Sequence, residues 1–141
     1  MTRIMKVKKN FTPFQIMEND ELYQNGFFQF NITKILEYIS QNLPDFPLDE
    51  IDVTEHHKLA FSNINESHID SVVITVPIVL AEISPERYNV IDGHHRLEKA
   101  YINGMKMIKA YKLKGEQLVH FITTEKAYHA YVNYWNDKLK G

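Results

Sequence analysis

From Ile32 onward the apolar residues Ile32, Ile35, Leu36, Ile39 and Leu43 recur at steps of three and four, which predicts a helix over residues 31–42. Asn31 stands at its N-cap position, Phe30 and Ile35 are placed to form a hydrophobic staple, and Asn42-Leu43-Pro44 ends it. Residues 44–52 follow as an acidic connector carrying Asp45, Asp49, Glu50 and Asp52. A short strand is expected near 51–54, directly before Glu55-His56-His57. Residues 62–71 are polar, with Asn63, Asn65, Glu66 and His68, and read as a loop. The densest β-branched run, 72–83, predicts the longest strand, with Pro77 marking an edge or a bend. A turn at 84–87 leads to a second strand at 88–91, which Asp92-Gly93 stops. A helix over 95–103 puts Leu97, Ala100 and Tyr101 on one face and ends at Asn103-Gly104. A third strand at 105–113 and a last helix at 124–138, striped by Tyr128, Tyr131, Trp135 and Leu139, complete the pattern. Residues 11–30 match no element. The order implies an α+β fold, a small mixed sheet flanked by helices, in a single domain over 1–141.

Composition narrows the chemistry. With 141 residues and 44% hydrophobic content, the chain can bury a core without covalent staples. It has no Cys, which removes disulfides, thiolate metal sites and a cysteine nucleophile. The net charge of -2 supplies no global field toward nucleic acid or an anionic membrane. The basic N-terminus has no apolar run behind it, and no window reaches the ~20 apolar residues of a membrane span. A cytoplasmic location is the expectation.

Tyr88-Asn89-Val90-Ile91-Asp92-Gly93-His94-His95-Arg96-Leu97 is the stretch that carries chemistry. A strand runs into a Gly turn, and the turn opens a helix whose N-terminal N–H groups and dipole favour an anion. Arg96 and two imidazoles add donors, and Gly93 lets backbone approach a ligand without a Cβ. Asp92, at the carboxyl end of a strand, is placed as a metal ligand or a base; the plainer alternative is that it caps the helix. His94 and His95 are adjacent on a helix and point a quarter-turn or more apart, so they meet one ligand only with help from the backbone.

Taken with Pro77-Ile78-Val79-Leu80 before it, and with Leu97-Glu98-Lys99-Ala100 and Asn103-Gly104 after it, this stretch resembles the ParB/sulfiredoxin superfamily. The resemblance covers roughly residues 51–113 and is most specific in Asp92-Gly93-His94-His95-Arg96. It implies a ParB/sulfiredoxin-like core over 51–113, a C-terminal strand/helix extension over 114–141, and nucleotide phosphates bound at the strand–turn–helix. Sulfiredoxin-like enzymes need a Cys that this chain lacks. Partition-type ParB proteins bind CTP, carry a Gly-Glu-Arg-Arg-like motif and continue into a helix-turn-helix domain. Here only Gly93 and Arg96 match that motif, and 114–141 has room for one helix. The free-serine-kinase-like branch reads Asp-Gly-His-His-Arg, which residues 92–96 reproduce letter for letter.

That branch implies ATP or ADP, or another nucleotide, with Mg²⁺. Asp92 would be catalytic and hold the metal, and Gly93, His94, His95 and Arg96 would hold the phosphates. Glu55, near the end of an early strand, would be the general base for a small hydroxylated acceptor. The expected activity is phosphoryl transfer of small-molecule kinase type, and the alternative is a non-catalytic nucleotide- or nucleic-acid-binding module of the ParB-like family. Sequence-specific DNA binding and membrane association are not expected.

Other residues carry weaker signals. Glu55-His56-His57 with His94 and His95 lacks the spacing of a zinc site. His68, His120 and His129 read as surface or satisfied core residues. Glu82 either faces a pocket or simply ends a strand. The aromatic stripe of the last helix could stack on a base but fits a core better. Arg3, Lys6, Lys8 and Lys9 form a basic arm that could touch nucleic acid, or a solvated, frayed end.

Overall fold

Phe28 and Phe30 alternate with polar neighbours, and in the computed structural model that alternation is a strand of a β-hairpin, β1 (Leu22–Asn25) and β2 (Phe28–Asn31), inside the stretch that matched no element. The structure describes residues 3–59 and 75–141, apart from the side chains of Asn25, Lys58 and Leu59. Helix α1 (Ile32–Gln41) follows without a loop. Asn31 caps it as expected, with Oδ1 accepting the Lys34 N–H at 3.1 Å, and Phe30 and Ile35 are buried in one cluster. A 3₁₀ turn at Leu43–Asp45 leads to β3 (Asp49–Asp52).

The strand expected at 51–54 ends early. Helix α2 (Val53–Leu59) starts one residue after Asp52, whose Oδ1 accepts the Glu55 N–H at 2.8 Å. Asp52 is thus a helix cap, and this local hydrogen bond overrides the β-branched bias of Val53 and Thr54. The strand expected at 72–83 is seen as β4 (Ile78–Ser84), while its first residues, 72–74, and the loop at 62–71 lie outside the described residues. β5 (Arg87–Asp92), α3 (His94–Ile102) and β6 (Met107–Leu113) follow in the expected order.

After Leu113 the expected strand/helix extension is instead helical. A single turn α4 (Gly115–Leu118), a 3₁₀ turn at Val119–Phe121 and α5 (Glu125–Leu139) follow, and Ile122 adds only an isolated bridge to Phe30. Nor is it peripheral: Leu118, Phe121, Ile122, Tyr128, Tyr131 and Trp135 belong to the larger core cluster. The aromatic stripe is therefore core.

The fold is α+β. Its main sheet has the order β3-β6-β4-β5, with β4 parallel to β6 and the other pairs antiparallel. All seven residues of β4 are buried because both faces are covered. Val79, Ala81 and Ile83 join the large cluster with α1 and α5. Ile78 and Leu80 join a smaller one with Ile51, Val53, Leu97 and Ala100, beneath α2 and α3.

The N-terminal arm is packed rather than frayed. Met5 exchanges backbone hydrogen bonds with the Asn136 amide at 2.9 and 2.7 Å, and Phe11 stacks on Tyr128 at 3.8 Å between centroids. Arg3 leaves solvent for Glu82, whose side chain is fully buried.

Candidate functional site

Where β5 meets α3, the ladder skips a residue: Leu80 pairs with Val90, but Val79 pairs with Asp92 rather than Ile91. This bulge buries Ile91 in the large cluster and shifts Asp92 onto the rim of the sheet. Gly93 then takes φ +95°, in the left-handed region, and serves as the N-cap of α3 with no side-chain cap. A Cβ there would stand 2.6 Å from Ile78 Cγ2 and 2.8 Å from Arg96 Nη2, so only Gly permits this turn.

Asp92 is therefore not the helix cap. Its Oδ2 accepts from Arg96 Nη2 at 3.0 Å, and the same Nη2 donates to the Pro77 carbonyl at 3.3 Å. Arg96 Nε is buried with no acceptor among the described residues. The guanidinium is thus anchored at the cavity wall, where its terminal N–H groups, not the buried Nε, are the ones an incoming anion can meet. Burial lowers the His94 pKa, with His95 acting in the same direction, while Asp92 and a hydrogen bond to the Val90 backbone oppose the shift. At neutral pH His94 is accordingly an uncharged hydrogen-bonding group.

Asp92, Gly93, His94, His95 and Arg96 line one cavity of about 260 Å³, together with Ile91 and Glu21. Glu21 is the residue that sequence reasoning missed. Its carbonyl accepts the Ile32 N–H at 2.9 Å, and its N–H donates to Thr33 Oγ1 at 2.7 Å, so the start of α1 fixes its backbone. The acidic residue just before β1 was the available signal, but nothing local connects it to residues 92–96.

Glu55 is not in this cavity. It is exposed in the first turn of α2 and lines a separate cavity of about 710 Å³ with Asp52, His56, Tyr88 and Lys112. Of its two histidine neighbours, His56 Nδ1 donates to the Asp52 carbonyl at 2.9 Å. His57 Nε2 meets Glu98 of α3 at 2.5 Å, and its ring stacks on Tyr101. Among the described residues no three His, Asp or Glu side chains are grouped to hold a metal ion. His120 and His129 are exposed, as expected.

Glu82 neither faces a pocket nor simply ends a strand. It takes two hydrogen bonds from Arg3, at 2.6 and 2.7 Å, and one each from the Gly115 and Glu86 N–H groups. Among the described residues no helix is long and apolar enough to cross a membrane. Compared with family models, curated proteins and solved structures, the chain matches none.

Proposed function

We propose that the protein binds nucleotide phosphate at the turn from Asp92 to Arg96 and, with Mg²⁺, transfers a phosphoryl group to a small hydroxylated acceptor. The observation that carries the binding step is the convergence in one cavity of a helix start without a side-chain cap, a guanidinium anchored by Asp92 and the Pro77 carbonyl, and two imidazoles. The letter-for-letter resemblance of residues 92–96 to the free-serine-kinase-like motif points the same way.

The donor set suits Mg²⁺. Only Asp92 Oδ2 is engaged by Arg96. Mg²⁺ typically takes one or two carboxylates alongside phosphate oxygens and water, and needs no all-protein cage. Neutralising phosphate charge is the chemistry the ion supplies when bound. Arg96 and the α3 start orient the phosphates, and Glu55 is the carboxylate proposed to take the acceptor proton. The separate cavity of Glu55 favours the second reading, a non-catalytic nucleotide-binding module, because a base must come within hydrogen-bond reach of its proton.

A thermal-shift titration with ATP or ADP and Mg²⁺ tests the binding step. Nucleotide raises the Tm of the wild type by mass action, and Arg96→Ala removes most of that shift. Equal shifts in both proteins overturn the site. Turnover with a panel of hydroxylated acceptors tests the transfer. Glu55→Gln leaves nucleotide affinity nearly unchanged and cuts turnover by roughly 10²–10⁴-fold. Wild-type turnover in that variant removes Glu55 from the mechanism. Nucleotide binding with no acceptor ever phosphorylated establishes the module reading.

A further inference from the structure

Asp92 and Arg96 line a second cavity besides the one that holds the turn. It has a volume of about 420 Å³ and lies between α1 and the start of β4. Among the described residues, Leu36, Ile39, Leu43, Val76, Pro77 and Tyr111 supply most of its wall. Among the described residues that line it, Asp92 and Arg96 are the only charged ones. The Pro77 carbonyl on that wall already accepts from Arg96. Two rim residues, Leu43 and Val76, expose 49% and 47% of their surface, an apolar rim beside an ion pair.

We propose that the two cavities are halves of one site for an amphipathic ligand, a phosphate ester of an apolar alcohol. The phosphate lies on the turn from Asp92 to Arg96, and an aliphatic or aromatic body lies in the groove beside α1. This rests on the phosphoryl-transfer reading above and deepens it on the acceptor side: the acceptor is an apolar alcohol, its hydroxyl oxygen takes the phosphoryl group as the nucleotide's terminal P–O bond breaks, and the ester is the product on the turn once the shortened nucleotide has left. The Asp92–Arg96 pair is the seam: its guanidinium presents donors to the head, while the methylene stem of the same side chain adds apolar surface. Among the described residues, Ser40 and the Tyr111 hydroxyl are the remaining polar side-chain groups of the groove, too few to read the hydrogen-bonding edge of a polar body. Removing apolar ligand surface and two exposed apolar rim residues from water supplies the gain in affinity.

Titrating the full chain with inorganic phosphate, butyl phosphate and hexyl phosphate, followed by NMR, tests this. Affinity rises along the series, by roughly threefold to fourfold for each methylene that enters the groove. Leu43→Ser and Val76→Ser alter exposed positions, so folding is not at stake. Each flattens the series while leaving inorganic phosphate binding unchanged, and Arg96→Ala weakens all three ligands. Hexyl phosphate binding no tighter than inorganic phosphate, with both dependent on Arg96, overturns the amphipathic site and leaves the phosphate site standing. A chain-length gain that survives both groove variants places the apolar body elsewhere and equally overturns it. Failure of all three ligands to bind removes the phosphate site and this proposal with it.

Discussion

Two arginine–carboxylate centres sit at opposite ends of the β4–β5 hairpin, and they differ in how completely they are satisfied. At one end Glu82 is fully buried and takes four hydrogen bonds, two of them from Arg3. Arg3 also reaches Glu116 at 2.6 Å and lies 4.8 Å from the centroid of the Trp135 ring. At the other end Asp92 and Arg96 share a single contact at 3.0 Å, retain 29% and 20% exposure, and leave Arg96 Nε without an acceptor among the described residues. An arginine–carboxylate pair is thus a structural clamp where every carboxylate lone pair is used and a candidate ligand site where the pairing is sparse and partly solvated. Charge alone does not separate the two; hydrogen-bond accounting does.

Breaking the clamp has the largest effect. Arg3→Ala strands the Glu82 carboxylate in the core, and loss of one partner of a buried pair costs roughly 3–5 kcal/mol. Because Arg3 is partly exposed, about 3 kcal/mol is expected, measured by urea unfolding at neutral pH. A loss below about 1 kcal/mol would show that the two backbone N–H groups suffice for Glu82. The pH dependence follows from the same contacts. Burial alone would raise the Glu82 pKa, but Arg3 and the Gly115 and Glu86 N–H groups outweigh it and hold the carboxyl below its ordinary value of 4.5. A depressed folded-state pKa gives stability that is present above the unfolded value and lost as pH falls through the folded one. Glu116, also lowered by Arg3, acts in the same window. The stability gap between wild type and Arg3→Ala therefore narrows below about pH 4.5, and a gap independent of pH contradicts the clamp.

Each centre also contains one glycine, which extends the comparison to the backbone. Gly115 donates to Glu82 Oε1 at 2.9 Å, and a Cβ on it would press into the Trp135 ring and come within 2.8 Å of Tyr131 Oη. Trp135 is fully buried and has nowhere to move, so Gly115→Ala costs about 2–3 kcal/mol as core overpacking. Gly93→Ala meets a positive φ, the fixed Cγ2 of buried Ile78 and the movable end of Arg96, so about 2–3 kcal/mol is expected from backbone strain and crowding together. Its sharper signature is functional: the displaced Arg96 guanidinium weakens phosphate binding. Unfolding curves and phosphate titrations of the two variants separate the ends: both lose stability, only Gly93→Ala loses phosphate binding, and equal binding loss in Gly115→Ala would contradict the assignment of that end as structural.

The sequence shows the open centre far better than the clamp. Asp92, Gly93 and Arg96 are neighbours in the chain, so one turn of backbone brings them together. Glu82 and Arg3 are brought together only by tertiary packing, and a lone Glu after an apolar run gives no hint of a distant partner. The same limit hid Glu21, which meets the turn through the start of α1, and the β1–β2 hairpin, whose four-residue strands are too short for a firm alternation. Helix α1 was legible because its cap and its apolar stripe agree. The end of β3 was misread because Asp52 competes for the backbone just where Val53 and Thr54 suggest continued strand.

Arg96→Ala has the smallest expected effect on stability, and that smallness is what makes it informative. Its pair with Asp92 is partly solvated and makes one contact, the kind of ion pair typically worth about 1 kcal/mol or less. Removing the side chain also gives up the 3.3 Å bond to the Pro77 carbonyl, but it removes a buried Nε that has no acceptor among the described residues, which offsets part of the loss. The unfolding midpoint should therefore barely move in the absence of ligand, while the nucleotide-induced rise in Tm disappears. Asp92→Asn separates charge from shape at the same place: it keeps an oxygen for Arg96 but lowers any dependence of binding on Mg²⁺. If Arg96→Ala instead destabilised the free protein as much as Arg3→Ala, the two ends of the hairpin would be alike. The sparse, partly solvated pairing of Arg96 would then no longer mark a site for a ligand.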